Sequence, residues 1–392
     1  MIRVIVSLCL AGVLIYTANH LWSERNAEFP FSIEEYLIQE PQFTDHERKL
    51  AVLGLKLFED PRLSGNGSVS CSSCHKAELS FSDDKEFSQG IGLTELNTPP
   101  IFNTHLQKWF FWDGRADSLT AQSLQPIMHP KEHGLSLSKL AQILHKYYKS
   151  DLDTVFSYKF PKAMEKALSQ DLPAMGSLNK DLLPEVNKIA IMFGDALAEY
   201  QRGLVAMDSP YDKFMRAYAE ADGEVTFVEG FDSQEWRGFN LFLSKTICSE
   251  CHTGKNFSDQ KFHFTGLAKT DAVGRLEGIK KLQADPFRCH RKEQNCEENI
   301  QALTGQAKQV KTPSLRNLSS TGPYFHDGSA KTVRDILYLY NRPEPKEGTD
   351  SRMKNLYLTV GEIEDLEAFI LSLSSPVRDL TKEFLAKKVK TP

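Results

Sequence analysis

The sequence predicts a mostly α-helical protein in two related halves, and three observations predict it. Apolar residues recur at helical spacing, as in Arg48 to Phe58, where Leu50, Leu53 and Leu57 share a face. The pentapeptide Cys71-Ser-Ser-Cys74-His75 returns as Cys248-Ser-Glu-Cys251-His252, with His252 lying 177 residues beyond His75. No strand-rich alternation, GxGxxG or P-loop appears, so short hairpins in loops are the only β structure expected.

The 392 residues are enough for two domains or one large one, and 41% apolar content supplies real cores. The 47 basic and 52 acidic residues leave a net charge of −5. No Lys/Arg block of five appears, which argues against nucleic acid as a partner.

In chain order, Arg3 precedes an apolar run from Val4 to Ala18, broken only by Ser7 and Thr17. Residues 1–22 therefore read as a secretory signal, with export to the periplasm the expectation. The alternative is one retained membrane anchor, if Leu21 and Trp22 lengthen the run. Cleavage is the preferred reading, and a membrane role follows only from retention. Cys9 follows Leu8, where a lipoprotein site wants a small residue, so it reads as inert.

Thr44-Asp45 opens the helix that Asp60-Pro61 ends, just before the first CxxCH. Leu182 to Met207 reads as a long helix linking the halves. Asp232-Ser233 caps a helix from Trp236 to Leu243 that leads into the second CxxCH. Leu267 to Gln309 is charged and reads as an insertion, and the tail from Val377 reads as frayed. The domain division is 30–195, 196–376 and a charged tail 377–392.

CxxCH is the spacing of covalent haem attachment. Two thiols add across the haem vinyl groups, and the adjacent His reaches the iron. Cys71, Cys74 and His75 would hold one haem, and Cys248, Cys251 and His252 the other. A zinc site would want a second nearby Cys/His pair, and a redox CxxC needs no following His. Cys289 and Cys296 remain, either as a local disulfide in an oxidising compartment or as free thiols, with the bridge preferred.

A second strong axial ligand makes an electron-transfer haem, whereas a vacant face admits peroxide. Beyond His252 the sole Met is Met353. Tyr340, at the end of the helix closing Tyr338-Leu-Tyr340-Asn341, is the candidate oxygen ligand of the second haem. A hard oxygen favours ferric and higher states. Its plain alternative is a core aromatic. For the first haem the candidate distal side runs from Phe110-Phe111-Trp112-Asp113-Gly114-Arg115 through Pro126 to Glu132, which His129 and His133 flank. A Glu there can carry a proton between the oxygens of a bound peroxide. Taken alone, a loop Glu is more often solvated and a Trp more often core.

Together these residues resemble the bacterial di-haem cytochrome c peroxidase and MauG family, over roughly Glu40 to Leu373. The resemblance rests on both CxxCH motifs, Asn97-Thr98-Pro99, Phe111-Trp112-Asp113-Gly114-Arg115-Ala116-Asp117, Pro313-Ser-Leu-Arg316-Asn317, and Pro323-Tyr-Phe-His326-Asp-Gly. It implies two cytochrome c-like haem domains packed around a shared interface. It places Trp112 between the haems as an electron or hole carrier, with Glu132 as the distal catalytic glutamate and Pro126 in the distal pocket. It implies a calcium ion held by Asn97 with the carbonyls of Thr321 and Pro323, an oxygen-only set suited to that hard cation.

Two departures point to the MauG-like branch. In ordinary family peroxidases a loop His after the first CxxCH blocks the peroxidatic haem at rest. Lys76 to Asn103 contains no His. The axial position that is Met in ordinary members is Tyr340 here. The branch implies that hydrogen peroxide drives a high-valent di-haem state, which oxidises Trp or Tyr of a periplasmic partner protein. The alternatives are a cytochrome c peroxidase fed by a small c-type cytochrome or cupredoxin, and a non-enzymatic di-haem electron carrier.

Overall fold

The computed structural model describes residues 33–221, 224–271, 273–289 and 303–389. The leader, Cys9 and the Cys296 end of the expected bridge lie outside the described residues. The helices in chain order are α1 (Asp45–Phe58), α2 (Cys71–Cys74), α3 (Leu119–Met128), α4 (Leu137–Phe156), α5 (Lys162–Leu168) and α6 (Leu183–Arg202). There follow α7 (Pro210–Glu220), α8 (Ser233–Ser244), α9 (Arg275–Ala284), α10 (Val333–Asn341), α11 (Val360–Leu371) and α12 (Leu380–Val389). The strands are two-residue ladders: β1 (Leu204–Val205) pairs with β4 (Arg378–Asp379), and β2 (Phe262–His263) with β3 (Val310–Lys311), both antiparallel.

The helix before each CxxCH starts on a capping box. Thr44 accepts from the Glu47 amide while Glu47 reaches back, and Asp232 and Glu235 repeat the arrangement on α8. Each cap contributes about 1 kcal/mol. Both helices then cross a later helix at a glycine. A Cβ on Gly54 of α1 would stand 2.0 Å from the Ala196 carbonyl oxygen of α6. A Cβ on Gly238 of α8 would stand 1.9 Å from that of Asp365 on α11. The repeat seen in the motifs is thus also a repeat of helix packing, with backbones in contact at each crossing.

Two main cores result. The first runs from Leu50 on α1 to Ala206 and takes in Phe193 and Leu197 of α6. The second joins Tyr36 to Tyr211, Phe214, Phe239, Phe257, Leu366 and Phe369. The linking helix stops at Arg202, five residues short of the expected Met207. The buried Asn103 explains this: its amide donates to Leu204 O at 2.8 Å, and its side chain exchanges two hydrogen bonds with Ala206. Those bonds and the pairing of β1 with β4 draw the chain out of the helix.

The tail corrects the expectation of fraying. Arg378–Asp379 closes that ladder, and Leu380 at the start of α12 is buried against Phe43 and Ala51. Burying Leu380 and Phe384 outweighs the charge of the segment. The expected insertion holds α9, anchored by Arg275. No helix of the described residues is long and apolar enough to cross a membrane.

Candidate haem-binding and catalytic site

One cavity of about 1030 Å³ lies between the halves, and both CxxCH motifs open onto it. The two motifs are latched in the same way. His75 Nδ1 donates to the carbonyl of Phe81 at 3.0 Å, and His252 Nδ1 donates to that of Phe257 at 2.9 Å. Both phenylalanines are in the left-handed region, φ 57° and 48°, which turns each carbonyl back onto the imidazole. A carbonyl can only accept, so Nδ1 carries the proton and Nε2 is left bare as a metal-ligating nitrogen. Burial lowers the pKa of both imidazoles and keeps them neutral.

The thiols fit the same group. Cys71, Cys74, Cys248 and Cys251 are in no disulfide. Burial pushes the Cys71 thiol up to about 12 and the Cys74 thiol to about 11, so they are held as neutral thiols. Paired thiols, a neutral ligating His and a largely apolar cavity suit two covalently attached c-type haems.

On the first side, Glu132 and Pro126 both reach the cavity. Glu132 sits in the turn after α3, its amide bonded to His129 O at 3.1 Å and its carbonyl accepting from Ile91 at 3.0 Å. Burial raises its pKa above the ordinary 4.5, while His129 and Arg115 pull the other way. Of the two flanking histidines, only His129 faces the carboxylate, Nδ1 to Oε1 being 3.3 Å. His133 instead bonds Leu63 O through Nδ1 and lies 3.8 Å from Cys71 Sγ, bracing the attachment loop. Pro126 lies inside α3 and brings no N–H to the pocket wall.

Trp112 belongs to both halves. Its indole Nε1 donates to Asn97 O at 3.2 Å, and its carbonyl accepts from the Lys311 amide at 2.8 Å. Its ring meets His326 edge-on at 6.2 Å between centroids. Asn97, Thr321 and Pro323 all line the cavity, with Asn97 bound through its amide to His326 O and through Nδ2 to Lys85 O.

On the second side, Tyr340 of α10 lines the cavity with Cys248, Cys251 and His252. Burial raises its hydroxyl pKa first, the facing Cys248 and Cys251 raise it further, and Thr265 opposes them. Met353 lines the same cavity. The sequence reading passed over Gln122, Lys311 and His263, which also reach it. Gln122 carried a usable signal, standing four residues before Pro126 on one helix and so on one face. His263 pairs with Asp259 at 2.9 Å, and Arg352 bonds its other nitrogen.

Cys289, one end of the expected bridge, donates its thiol to Asp117 Oδ2 at 3.3 Å.

A family model for di-haem cytochrome c peroxidases matches residues 48–220. The chain is 32% identical to methylamine utilization protein MauG of Methylorubrum extorquens, over 84% of this chain and 79% of that protein. It is 27% identical to cytochrome c peroxidase Ccp of Escherichia coli, over 85% of this chain and 60% of that one. Among solved structures, a MauG-like protein associated with microbial copper homeostasis superposes with a TM-score of 0.60 at 24% identity, covering 89% of this chain and 95% of that one. The di-haem peroxidase BthA of Burkholderia thailandensis gives 0.61 at 20% identity, with 88% and 89% covered. The structures share the fold of two cytochrome c-like domains. With two latched CxxCH motifs on one cavity and a 32% identical relative matched along most of both chains, this protein is a haem oxidoreductase that belongs to the di-haem cytochrome c peroxidase and MauG family.

Proposed function

We propose that the protein is a MauG-like enzyme, exported to the periplasm, that uses hydrogen peroxide to oxidise a Trp or Tyr of a partner protein. The observation that carries this reading is Tyr340, which shares the cavity wall with Cys248, Cys251 and His252. The absence of any His from Lys76 to Asn103 supports it, since no histidine in that loop can close the first haem.

When bound, the two haems supply the two-electron chemistry with peroxide. The chain supplies the rest. His75 and His252 would ligate the two irons, and Tyr340 would offer its oxygen to the haem held at Cys248 and Cys251. Glu132 takes a proton from one peroxide oxygen and returns it to the other. Arg115, held by Asp113 at 3.1 Å and Gln125 at 2.8 Å, keeps a positive charge facing that carboxylate. Trp112 is the bridge between the two ends of the cavity. Asn97 and the carbonyls of Thr321 and Pro323, all on the cavity wall, would supply the oxygen set for a calcium ion. The leader at residues 1–22 directs export and is removed.

A donor-driven peroxidase is the second reading, and Met353 on the same cavity favours it, because a thioether ligand raises haem potential. Peroxide titration of the diferric protein separates the two. The first reading expects two oxidising equivalents to be held for transfer to protein, and Tyr340→Phe to lose that capacity. Full oxidising activity in the Phe variant sinks it. Sustained turnover with a reduced small c-type cytochrome favours the second.

A further inference from the structure

Lys311 is a buried ammonium that makes no salt bridge to a carboxylate among the described residues. The residue is 8% exposed, lies in β3 opposite Phe262 and lines the cavity. Its Nζ reaches the Thr312 carbonyl at 3.5 Å, the outer limit of a hydrogen bond. Asp259, the carboxylate whose field acts on it, is spent on His263 at 2.9 Å. Burial pulls the ammonium pKa down to about 8, the mark of a cation held in low dielectric. Such a charge is costly unless an anion meets it.

Most other described cations around the cavity are already committed, Lys131 to Glu95 at 2.6 Å and Arg316 to Asp212 at 2.9 Å among them. Lys308 pairs with Asp271 at 3.1 Å, Arg352 with Asp350 at 2.6 Å and Arg115 with Asp113 at 3.1 Å. Lys281 is exposed to water. Arg275 is buried, but its guanidinium donates to the carbonyls of Asp113 and Gly114 and lies against the rings of Trp109 and Phe262. Among the described residues, Lys311 is the buried cation left over, and a haem brings two propionate carboxylates.

We propose that Lys311 is the counter-cation for a propionate of the haem tethered at Cys248 and Cys251. The wall around it is built from the loop of that motif. Thr312 donates its amide to Lys261 O at 3.0 Å and accepts from Ser258 Oγ at 2.7 Å, while the Asp259 amide holds Cys251 O at 2.7 Å. Lys311 itself donates its backbone amide to Trp112 O at 2.8 Å. One residue would therefore hold both the polar edge of the second haem and the backbone of Trp112. The inference needs haem at the second motif and is independent of which way electrons flow, so it stands or falls apart from the proposed reaction.

The test is spectroelectrochemical titration of the holoprotein carrying both haems, comparing wild type with Lys311→Gln and Lys311→Arg. Removing a positive charge favours the ferric state. The second haem's midpoint should fall by a tenfold change in its one-electron equilibrium, about 59 mV or more. The first haem should not move, and the Arg variant should stay at the wild-type value. If the Gln protein retains only the first haem, an Arg protein with both haems and an unshifted midpoint supports the assignment. An unshifted second haem in the Gln variant, a shift at the first haem instead, or loss of the second haem from the Arg variant overturns it.

Discussion

Glu132 Oε1 lies 3.3 Å from His129 Nδ1, three residues earlier in the turn that follows α3. Burial raises the pKa of this carboxyl above 4.5 even though His129 and Arg115 oppose the rise. A base accepts a proton only when ionised. The rate of reaction with peroxide should therefore climb with pH along a limb above 4.5 and then level off. Glu132→Gln should abolish that limb and slow the step by about 10²–10⁴-fold, with both haems still attached. The stability sign runs the other way. A raised carboxyl pKa means the fold loses stability as pH rises through the raised value, and the Gln variant lacks that loss. Stopped-flow rates across pH decide the matter, and unchanged kinetics in the Gln variant remove Glu132 from the chemistry.

The Glu132 turn is itself held from outside. A Cβ on Gly90 would stand 2.4 Å from Lys131 O and 2.7 Å from Glu132 Cα. Both are backbone atoms and cannot swing aside. Gly90→Ala should displace the turn and cost peroxide reactivity by tenfold or more, while the haem spectra stay those of wild type. Wild-type peroxide rates in this variant would show that the turn tolerates displacement.

What was legible in the sequence was local. CxxCH fixes its chemistry within five residues, and the caps at Thr44 and Asp232 signal their helices within four. The latches of Phe81 and Phe257 were hidden because they depend on a left-handed φ at a non-glycine residue, which no spacing reveals. Lys311 was hidden because lysine ordinarily reads as surface, and only the fold buries it. The docked tail was hidden because its partner strand lies at Leu204–Val205, more than 170 residues away. Helix α6 ends at Arg202 for the same reason, since Asn103 reaches it from about a hundred residues upstream.

A buried ion pair holds the loop of the second motif. Arg316 makes two bonds of 2.9 Å to Asp212, both side chains being 1% exposed, and its Nε donates to Lys255 O at 2.7 Å. Arg316→Met would leave Asp212 charged, buried and without this partner. The expected cost is about 3–5 kcal/mol. Denaturant unfolding of the holoprotein, read at the second haem, measures it. A loss under about 1 kcal/mol would mean that the pair is not what holds the loop.

Trp112→Phe separates the role of the indole from its packing. The variant loses the Nε1 bond to Asn97 O, worth about 0.5–1.5 kcal/mol, and keeps an aromatic ring in the same place. The backbone bond from Lys311 to the Trp112 carbonyl is untouched, so the loop stays tied to the second half. The fold and both haem attachments should survive. Phenylalanine is much harder to oxidise than tryptophan, so if Trp112 carries charge between the haems, the coupling should fail while the structure holds. Peroxide mixed with the diferric variant should then change the first haem's spectrum at the wild-type rate and the second haem's at least tenfold more slowly. If both haems respond at the wild-type rate, charge does not pass through the indole, and Trp112 serves to pin Asn97 and Lys311 across the interface.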